Sequence, residues 1–269
     1  MTDISFEFGK NWKNFLGTLQ EDRIKEAENS LLRALKRSTL KNSRFLDIGS
    51  GSGLFSLAAR RLGAEVHSFD YDPFSVECTR HLKEKFAPQD EKWVVEQGSV
   101  LDKNYLSTLG QFDIVYSWGV LHHTGDMWAS LNNILPLIAP KGLVYIAIYN
   151  DQGIISKGWK AIKKAYNYSP SFLKPLIFWP CALWLWKYRL IWGTLRYANP
   201  LKFLSTYHAG NRGMSIYYDA VDWIGGYPFE VAKPEEIFAF FAEQGFQLHF
   251  LKTCGGKLGC NEFVFHKER

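Results

Sequence analysis

The sequence predicts an α/β protein with a doubly wound, mostly parallel β-sheet that carries helices on both faces. Short apolar runs alternate with helical segments over residues 44–150, and such alternation is typical of parallel sheets. A glycine-rich turn follows the first apolar run, as in sheets that bind nucleotides. The alternation stops at Asp151 and resumes near Lys233. This interruption predicts a largely helical insertion after the fifth strand.

Composition is consistent with this fold class. A chain of 269 residues with 46% hydrophobic residues has enough apolar material for one large domain with an insertion. The first residues lack the basic and apolar regions of a signal peptide. The cysteines lack CxxC spacing, which indicates free thiols in a reducing cytoplasm and no metal site or disulfide framework: Cys78, Cys181, Cys254 and Cys260.

The first elements are a helix and a strand. Apolar residues recur at mostly three- and four-residue steps between Leu19 and Leu35, which predicts an amphipathic helix. "RFLDIGSGSG" is an apolar strand that runs into the glycine-rich turn. "LFSLAARRLG" then predicts a second helix, which ends at Gly63.

The remaining elements follow in order. "EVHSFDYD", "WVVEQGS", "FDIVYSWG" and "GLVYIAIYN" predict strands two to five, and "SVECTRHLKEKF" and "DMWASLNNILPLI" predict helices among them. After the insertion, "KPEEIFAFFAEQGF" has a proline in the first turn of a helix and a glycine after its last. "FQLHFLKT" and "CNEFVFHK", joined by "CGGKLG", predict an antiparallel pair. We therefore divide the chain into residues 1–43, 44–150, 151–232 and 233–269.

The glycine-rich turn predicts a nucleotide-binding site. Gly49, Gly51 and Gly53 form G-x-G-x-G, which is one residue shorter than the dinucleotide fingerprint. Asp70 ends the second strand, 21 residues after Gly49, where an acid commonly accepts hydrogen bonds from ribose hydroxyls. Asp72 is an alternative, but it already belongs to the next turn. Glycines can also serve only close packing of a helix on a strand.

Four motifs together resemble those of a class I S-adenosylmethionine-dependent methyltransferase, and most closely the quinone-biosynthesis-like small-molecule group. They are "LDIGSGSG", "SFDYDP", "EQGSVLD" and "FDIVYSWGVLHHTGDM". The resemblance covers Arg44–Asn150 well and the region from Lys233 onward moderately. It implies the Rossmann-like methyltransferase fold, with seven strands of which the last is antiparallel. It also implies S-adenosylmethionine as the cofactor and S-adenosylhomocysteine as its product.

The resemblance assigns roles to individual residues. The three glycines would approach the methionine part of the cofactor, and Asp70 would bind its ribose. The other implied contacts are Tyr71, Ser99 and Val100 around the adenine and Trp118 beside the cofactor. Many relatives have an acid at the position of Ser99, so the resemblance implies a weaker or water-mediated adenine contact there. Residues 1–43 would contribute a helix and a lid, with the lid at "FEFGKNW", Phe6–Trp12; a frayed terminus is the alternative.

The residues that act on the acceptor are less certain from sequence. His122 follows the fourth strand and is a candidate base or acceptor-orienting group, with His123 a weaker candidate. Alternatively, both histidines only cap the next helix. Tyr149 and Asn150 end the fifth strand. The segment from Arg212 to Val231 contains further candidates for an acceptor pocket, which could instead dock the insertion onto the sheet. They are Tyr217, Tyr218, Asp219, Asp222, Trp223 and Tyr227.

The insertion is basic and aromatic. Between Asp151 and Lys202 the chain has nine lysines and arginines, one acid and five tryptophans. The apolar run from Leu176 to Trp186 is too short to cross a membrane, since a span needs about 20 residues. Three functions remain for "FWPCALWLWKYRLIW": a cap over the acceptor site, a helix that lies on an anionic membrane, or RNA binding. The resemblance favours the cap, because such methyltransferases insert substrate-binding elements after the fifth strand, and the outer apolar face of the cap could also contact a membrane or a second subunit. Residues 172–200 are also a candidate dimer contact.

The sequence thus predicts a cytoplasmic methyltransferase that contacts the inner membrane face peripherally. The expected acceptor is a small or lipid-like molecule, methylated at oxygen. Two alternatives remain: a tRNA or other RNA methyltransferase that uses the basic insertion, and a non-catalytic regulatory protein that binds S-adenosylmethionine.

Overall fold

A computed structural model describes residues 21–197 and 216–268. At Arg189, Tyr197, Tyr218 and Asp219 it describes the backbone alone. The predicted lid at Phe6–Trp12 lies outside the described residues, as does the start of the predicted acceptor-pocket segment, residues 212–215.

The seven-stranded sheet has the strand order β3-β2-β1-β4-β5-β7-β6. Every neighbouring pair is parallel except that β7 runs antiparallel to both β5 and β6. The strands are β1 (Arg44–Ile48), β2 (Glu65–Asp70), β3 (Trp93–Gln97), β4 (Phe112–Trp118), β5 (Ile138–Tyr149), β6 (Phe246–Lys252) and β7 (Cys260–Lys267). The predicted doubly wound sheet with one antiparallel strand is therefore confirmed.

Nine helices lie in the described part of the chain. They are α1 (Glu21–Leu35), α2 (Leu54–Arg61), α3 (Pro73–Phe86), α4 (Lys103–Ser107), α5 (Met127–Ile134), α6 (Ile154–Tyr168), α7 (Lys174–Tyr197), α8 (Ile216–Gly225) and α9 (Pro234–Glu243). The sequence did not predict α4, a five-residue helix capped by Asp102. The predicted helix at α5 is shorter than expected, since a 3₁₀ turn replaces it at Leu135–Leu137, around Pro136.

Both faces of the sheet are buried. Leu46 and Ile48 of β1 belong to one apolar cluster. Phe45 points to the opposite face, where its ring centroid lies 5.7 Å from that of Tyr116. Alternate residues of a strand face opposite sides, so a strand that is apolar on both sides is covered by helices on both sides.

The chain divides into two compact units. Among the described residues, the core unit comprises residues 21–156 and 229–268, and the helical unit comprises residues 157–197 and 216–228. The core unit contains the sheet, and the described part of the helical unit consists of helices α6 (from Lys157), α7 and α8. Among the described residues, no helix has the length and apolarity needed to span a bilayer. The domain boundaries predicted at residues 151 and 232 stay a prediction.

The insertion leaves and re-enters the core unit at neighbouring points. The backbone N–H of Ala232 donates to the carbonyl of Tyr149 at 3.0 Å, and that of Asp151 donates to the carbonyl of Ala232 at 3.1 Å. Asn150 and Ala232 form a parallel bridge. The two chain segments that flank the insertion therefore lie side by side at the end of β5.

Candidate active site

The glycine-rich turn follows β1 and is held against β2. The N–H groups of Gly49 and Ser50 both donate to the carbonyl of Phe69, at 2.8 and 3.2 Å. Gly49, Gly51 and Gly53 have φ values of 76°, 55° and 78°. Residues with a Cβ rarely adopt this left-handed conformation, so glycine is required for the shape of the turn.

Two of the three glycines also permit close packing within the protein. A Cβ on Gly49 would overlap the side chain of Val120, and one on Gly53 would lie 2.9 Å from Cγ2 of Thr79. The packing alternative considered from the sequence therefore applies at these two positions. Val120 and Thr79 were not identified from the sequence, because each is distant in the chain from the glycine it contacts.

Asp70 lies at the end of β2 and faces the glycine turn. Its Oδ2 accepts from the N–H of Gly51 at 2.9 Å, and its Oδ1 accepts from the N–H of Asp72 at 2.9 Å. A carboxylate has about four lone-pair sites, so both oxygens can still accept hydroxyl groups. Asp72 instead caps α3, where its Oδ1 accepts from the N–H of Phe74 at 3.0 Å. Burial raises the pKa of Asp70 to about 6.

A second buried acid, which sequence analysis missed, lies inside β1. Oδ2 of Asp47 accepts from the hydroxyl of Ser56 at 2.5 Å, and Ser56 in turn accepts from Ser68 at 2.8 Å. The indole of Trp93 donates to Ser68 at 2.9 Å. Burial raises the pKa of Asp47 to about 7. An acid within an apolar strand was the available signal, since buried acids need hydrogen-bond partners.

The residues expected around the adenine differ in exposure. The side chain of Tyr71 is exposed, and its carbonyl accepts from the amide of Gln97 at 3.1 Å. The hydroxyl of Ser99 is half-buried and accepts from the N–H of Leu101 at 3.2 Å. Val100 instead packs into the apolar core. Tyr71 and Ser99 are thus the more accessible of the three.

Trp118 is half-buried at the end of β4. The next residue, Gly119, has a φ of 76°. Its N–H donates to the carbonyl of Ala147 in β5 at 3.2 Å. β1, β2 and β4 are adjacent and parallel, so Trp118 ends at the same edge of the sheet as the glycine turn and Asp70.

The two histidines lie in an aromatic cluster at the ends of β4 and β5. The His122 ring is fully buried, and its centroid lies 3.9 Å from that of Tyr149 and 4.5 Å from that of His123. Nδ1 of His122 accepts from the N–H of Tyr149 at 3.3 Å. In a neutral ring with this bond, Nε2 carries the proton. The N-cap of α5 is Asp126 and not a histidine.

The predicted acceptor residues are not all brought together. Asn150 joins β5 to the β6–β7 hairpin, because its Oδ1 accepts from Asn261 at 3.0 Å and its Nδ2 donates to the carbonyl of Lys257 at 3.3 Å. Asn150 also lines a cavity of about 510 Å³ in the core unit. Tyr217 belongs to the helical unit, where its ring centroid lies 5.3 Å from that of Phe178. The side chain of Tyr218 lies outside the described residues.

A metal centre has no support in the part of the chain that the structure describes. No group of three or more histidine, cysteine, aspartate or glutamate side chains converges there as metal ligands would. We also expected no metal site from the sequence, and for the chain as a whole this stays a prediction.

Comparison with known proteins identifies a family. A model described as a methyltransferase domain matches residues 19–193. A ubiquinone biosynthesis O-methyltransferase of Rhizobium rhizogenes is 33% identical over 113 residues, which are 41% of this chain and 43% of the relative. A ribosomal protein L11 methyltransferase of Bacillus velezensis is 38% identical over 85 residues, 31% of this chain and 26% of the relative. The chain thus spans less than half the length of these two relatives.

A solved structure shares the fold across most of the chain. The magnesium protoporphyrin IX methyltransferase of Synechocystis, solved with bound S-adenosylhomocysteine, superposes with a TM-score of 0.54. The match covers 91% of this chain and 83% of that one at 12% sequence identity. At this identity the likeness concerns the fold and not the acceptor.

Proposed function

We propose that this chain, which belongs to the methyltransferase-domain family, transfers a methyl group from S-adenosylmethionine to a small or lipid-like acceptor. Its sheet is that of the class I S-adenosylmethionine-dependent methyltransferases. When bound, the cofactor supplies a methyl group on a sulfonium, which is already a strong electrophile. The chain's own residues then have to bind the two reactants and align them.

The observation that carries the proposal is the pairing of the glycine turn with Asp70. The turn presents backbone with little side-chain bulk at the carboxyl end of β1. Next to it, the half-buried Asp70 offers two carboxylate oxygens, each of which accepts one N–H. These groups fit a nucleoside with ribose hydroxyls and an attached amino-acid chain. Tyr71 offers an exposed ring at the same edge for the adenine.

We place the acceptor beside the His122–Tyr149 cluster and assign methylation to oxygen. The resemblance to a ubiquinone biosynthesis O-methyltransferase supports an oxygen acceptor. The hydrogen bond from Tyr149 to Nδ1 favours an orienting role for His122 through the proton on Nε2, over a role as a base at Nε2. Since the His122 ring is fully buried, an acceptor reaches it only when the side chains that cover it move.

The alternatives have less support. Neither of the two relatives is named for an RNA substrate, although the insertion is basic. A non-catalytic regulatory protein would need the same glycine turn and Asp70, so it predicts cofactor binding without turnover. A cytoplasmic location belongs to this proposal, whereas peripheral contact at the inner membrane face is a separate proposal that the methyltransferase activity does not require.

Calorimetry with S-adenosylmethionine and S-adenosylhomocysteine tests the cofactor site. Asp70→Asn removes the negative charge and should cost about 1.5–3 kcal/mol of binding free energy, the range for hydrogen bonds to a charged group. Asp72→Asn is the matched control, because asparagine is as good an N-cap as aspartate, and should bind like the wild type. Absence of heat with both ligands for the wild-type protein would refute the proposed function.

The same titration has a pH dependence. The Asp70 carboxyl has a raised pKa of about 6, so it becomes protonated as pH falls through that value and loses acceptor strength. Affinity for S-adenosylhomocysteine should therefore weaken below about pH 6 in the wild type, by up to about tenfold per pH unit. The Asp70→Asn variant should lack this dependence.

A further inference from the structure

We propose that an apolar surface of α7 docks onto an anionic lipid bilayer and lies along its interface. This surface consists of the large apolar side chains of α7 that are exposed. They are Leu176, Trp179, Leu183, Trp184, Tyr188, Ile191, Trp192 and Leu195. The proposal does not depend on the methyltransferase activity, because the surface belongs to the helical unit and the proposed cofactor site belongs to the core unit.

α7 buries only a narrow stripe of its surface. Phe178, Ala182 and Gly193 are buried, and their spacing of four and eleven residues places them on one side of a helix. On that side, the Phe178 ring lies 5.3 Å from the ring of Tyr217 in α8. Eight large apolar side chains elsewhere on the helix are exposed, and Lys187 and Arg196 lie among them.

The exposed apolar surface is large for a protein in water. Leu176 is 69% exposed, Trp192 67% and Leu195 77%. Single exposed apolar residues are ordinary. Eight on one helix, spread over the sides away from its buried stripe, mark a surface that another apolar phase covers.

The charge of the same segment indicates what that phase is. The sequence has nine lysines and arginines and no acid between Gln152 and Lys202. A cationic segment is attracted to the negative surface of a bilayer that contains anionic lipids. Tryptophan and tyrosine prefer the boundary between headgroups and acyl chains, where an amphipathic ring has an apolar and a wet side.

Lys187 shows how a cation can be accommodated on this surface. Its ammonium lies 4.2 Å from the ring centroid of Trp184 and 5.0 Å from that of Tyr188. The aliphatic stem can stay on apolar surface while the charged end reaches the headgroups. With Arg189 and Arg196 in the same helix, α7 suits a position in the interface better than one across the bilayer.

Two other partners fit the surface less well. A second copy of the chain would bring two strongly cationic segments together, and like charges across an interface are unfavourable. RNA would use the cations and the aromatic rings, but it gives no reason for exposed Leu176, Leu183 and Leu195. An anionic bilayer accounts for the cations, the rings and the aliphatic residues.

Vesicle co-sedimentation of the purified full chain tests the proposal. The protein should pellet with phosphatidylcholine vesicles that contain phosphatidylglycerol, and much less with phosphatidylcholine alone. High salt should weaken the binding, because it screens the attraction between the cations and the lipid. Tryptophan emission should shift to shorter wavelength on binding.

A matched pair of double variants assigns the binding to α7. Leu176→Gln with Leu195→Gln should lower the partition coefficient by about tenfold or more, since two exposed leucines no longer enter the apolar phase. Leu248→Gln with Leu251→Gln changes two exposed leucines of β6 and should bind vesicles like the wild type. Both variants should keep the helical content and the S-adenosylhomocysteine affinity of the wild type.

Several outcomes would overturn the proposal. One is a wild-type protein that ignores anionic vesicles, and another is undiminished binding by the α7 variant. A third is a wild-type dimer that the α7 variant loses, which would assign the surface to a second copy. A shift of RNA mobility without vesicle binding would assign it to RNA. Each result can be read separately from cofactor affinity, so failure here differs from failure of the proposed function.

Discussion

At the scale of single residues, the candidate site depends on the three glycines that the turn requires and on Asp70 beside it. Spacing along the sequence was enough to predict that Gly49, Gly51, Gly53 and Asp70 lie together, because a strand, a turn and a second strand bring them to one edge of the sheet. Their contacts with a cofactor stay a prediction. Spacing could not identify Val120, which lies against Gly49. That contact exists only once β1 and β4 are paired.

The role of His122 gives a prediction at this scale. His122→Ala should lower kcat with the acceptor by about 10²-fold, in the range of general acid–base groups, with unchanged affinity for S-adenosylhomocysteine. His122→Gln keeps an N–H donor near the position of Nε2, so it should lose less than His122→Ala if the ring orients the acceptor. Equal losses in both variants would indicate a base instead.

His123→Ala is the control for this series. His123 belongs to the same 3₁₀ turn, and its ring centroid lies 5.4 Å from that of Tyr149. It should retain most of the activity. Wild-type turnover in His122→Ala would mean that His122 serves only to pack the ends of β4 and β5.

At the scale of elements, apolar runs predicted all seven strands, but turn residues concealed one strand end. β5 begins at Ile138 and not at Gly142, because Ile138 pairs with Phe112 before an irregularity in the register. Between them, Pro140 and Lys141, which has a φ of 61°, resemble a loop in the sequence. Local patterns cannot reveal a strand whose first residues are fixed by a neighbouring strand.

Helix α6 contains a buried lysine that composition could not reveal. Lys163 is fully buried. Its ammonium donates to the backbone carbonyl of Trp223 and lies 4.6 Å from the centroid of the Trp223 ring. Burial lowers its pKa to about 7, and the charge of Asp222 opposes this shift. In the sequence, Lys163 is one of four lysines in α6, and no local pattern distinguishes it from the three exposed ones.

This lysine makes the stability of the helical unit depend on pH. In the unfolded chain the lysine holds its proton up to about pH 10.5, whereas in the folded unit it loses it near pH 7. Between these values the unfolded state binds more protons. The free energy of unfolding should therefore rise with pH in this window, by up to about 1.4 kcal/mol per pH unit.

Urea titrations of a matched pair of variants check this expectation. Lys163→Met should remove the rise between pH 7 and 10, as followed by tryptophan fluorescence. Lys160→Met, at an exposed position of the same helix, should keep it. A wild-type protein whose stability is flat over this range would show that Lys163 retains its proton in the folded unit.

At the scale of the whole molecule, the core segment and the insertion differ in how much of their structure the sequence predicts. Residues 44–150 contain ordered motifs whose spacing predicted the sheet, which is confirmed, and a cofactor site, which stays a prediction. The insertion has an unusual composition but no motif, so its charge and tryptophan content indicated a distinct segment and not its contacts. The acceptor contacts also stay a prediction, because no periodicity encodes how helices are placed relative to one another.

The insertion can be removed with little change to the core unit. Its flanking segments are joined by the hydrogen bonds between Tyr149, Asp151 and Ala232, so a short linker can replace residues 157–228. We expect the shortened protein to bind S-adenosylhomocysteine within a few fold of the wild type, as measured by calorimetry, because the glycine turn and Asp70 belong to the core unit. We expect it to lose methylation, because the sequence predicts that the insertion caps the acceptor site.

A binding-deficient control makes this result interpretable. Gly53→Val in the full chain places a β-branched residue at a φ of 78° and 2.9 Å from Thr79, so it should abolish cofactor binding with the insertion intact. The shortened protein should thus bind the cofactor without methylating the acceptor, whereas Gly53→Val should not bind the cofactor. If the shortened protein still methylated the acceptor of the wild type, the acceptor would bind to the core unit alone, and the bilayer contact of α7 would remain as the separate function of the insertion.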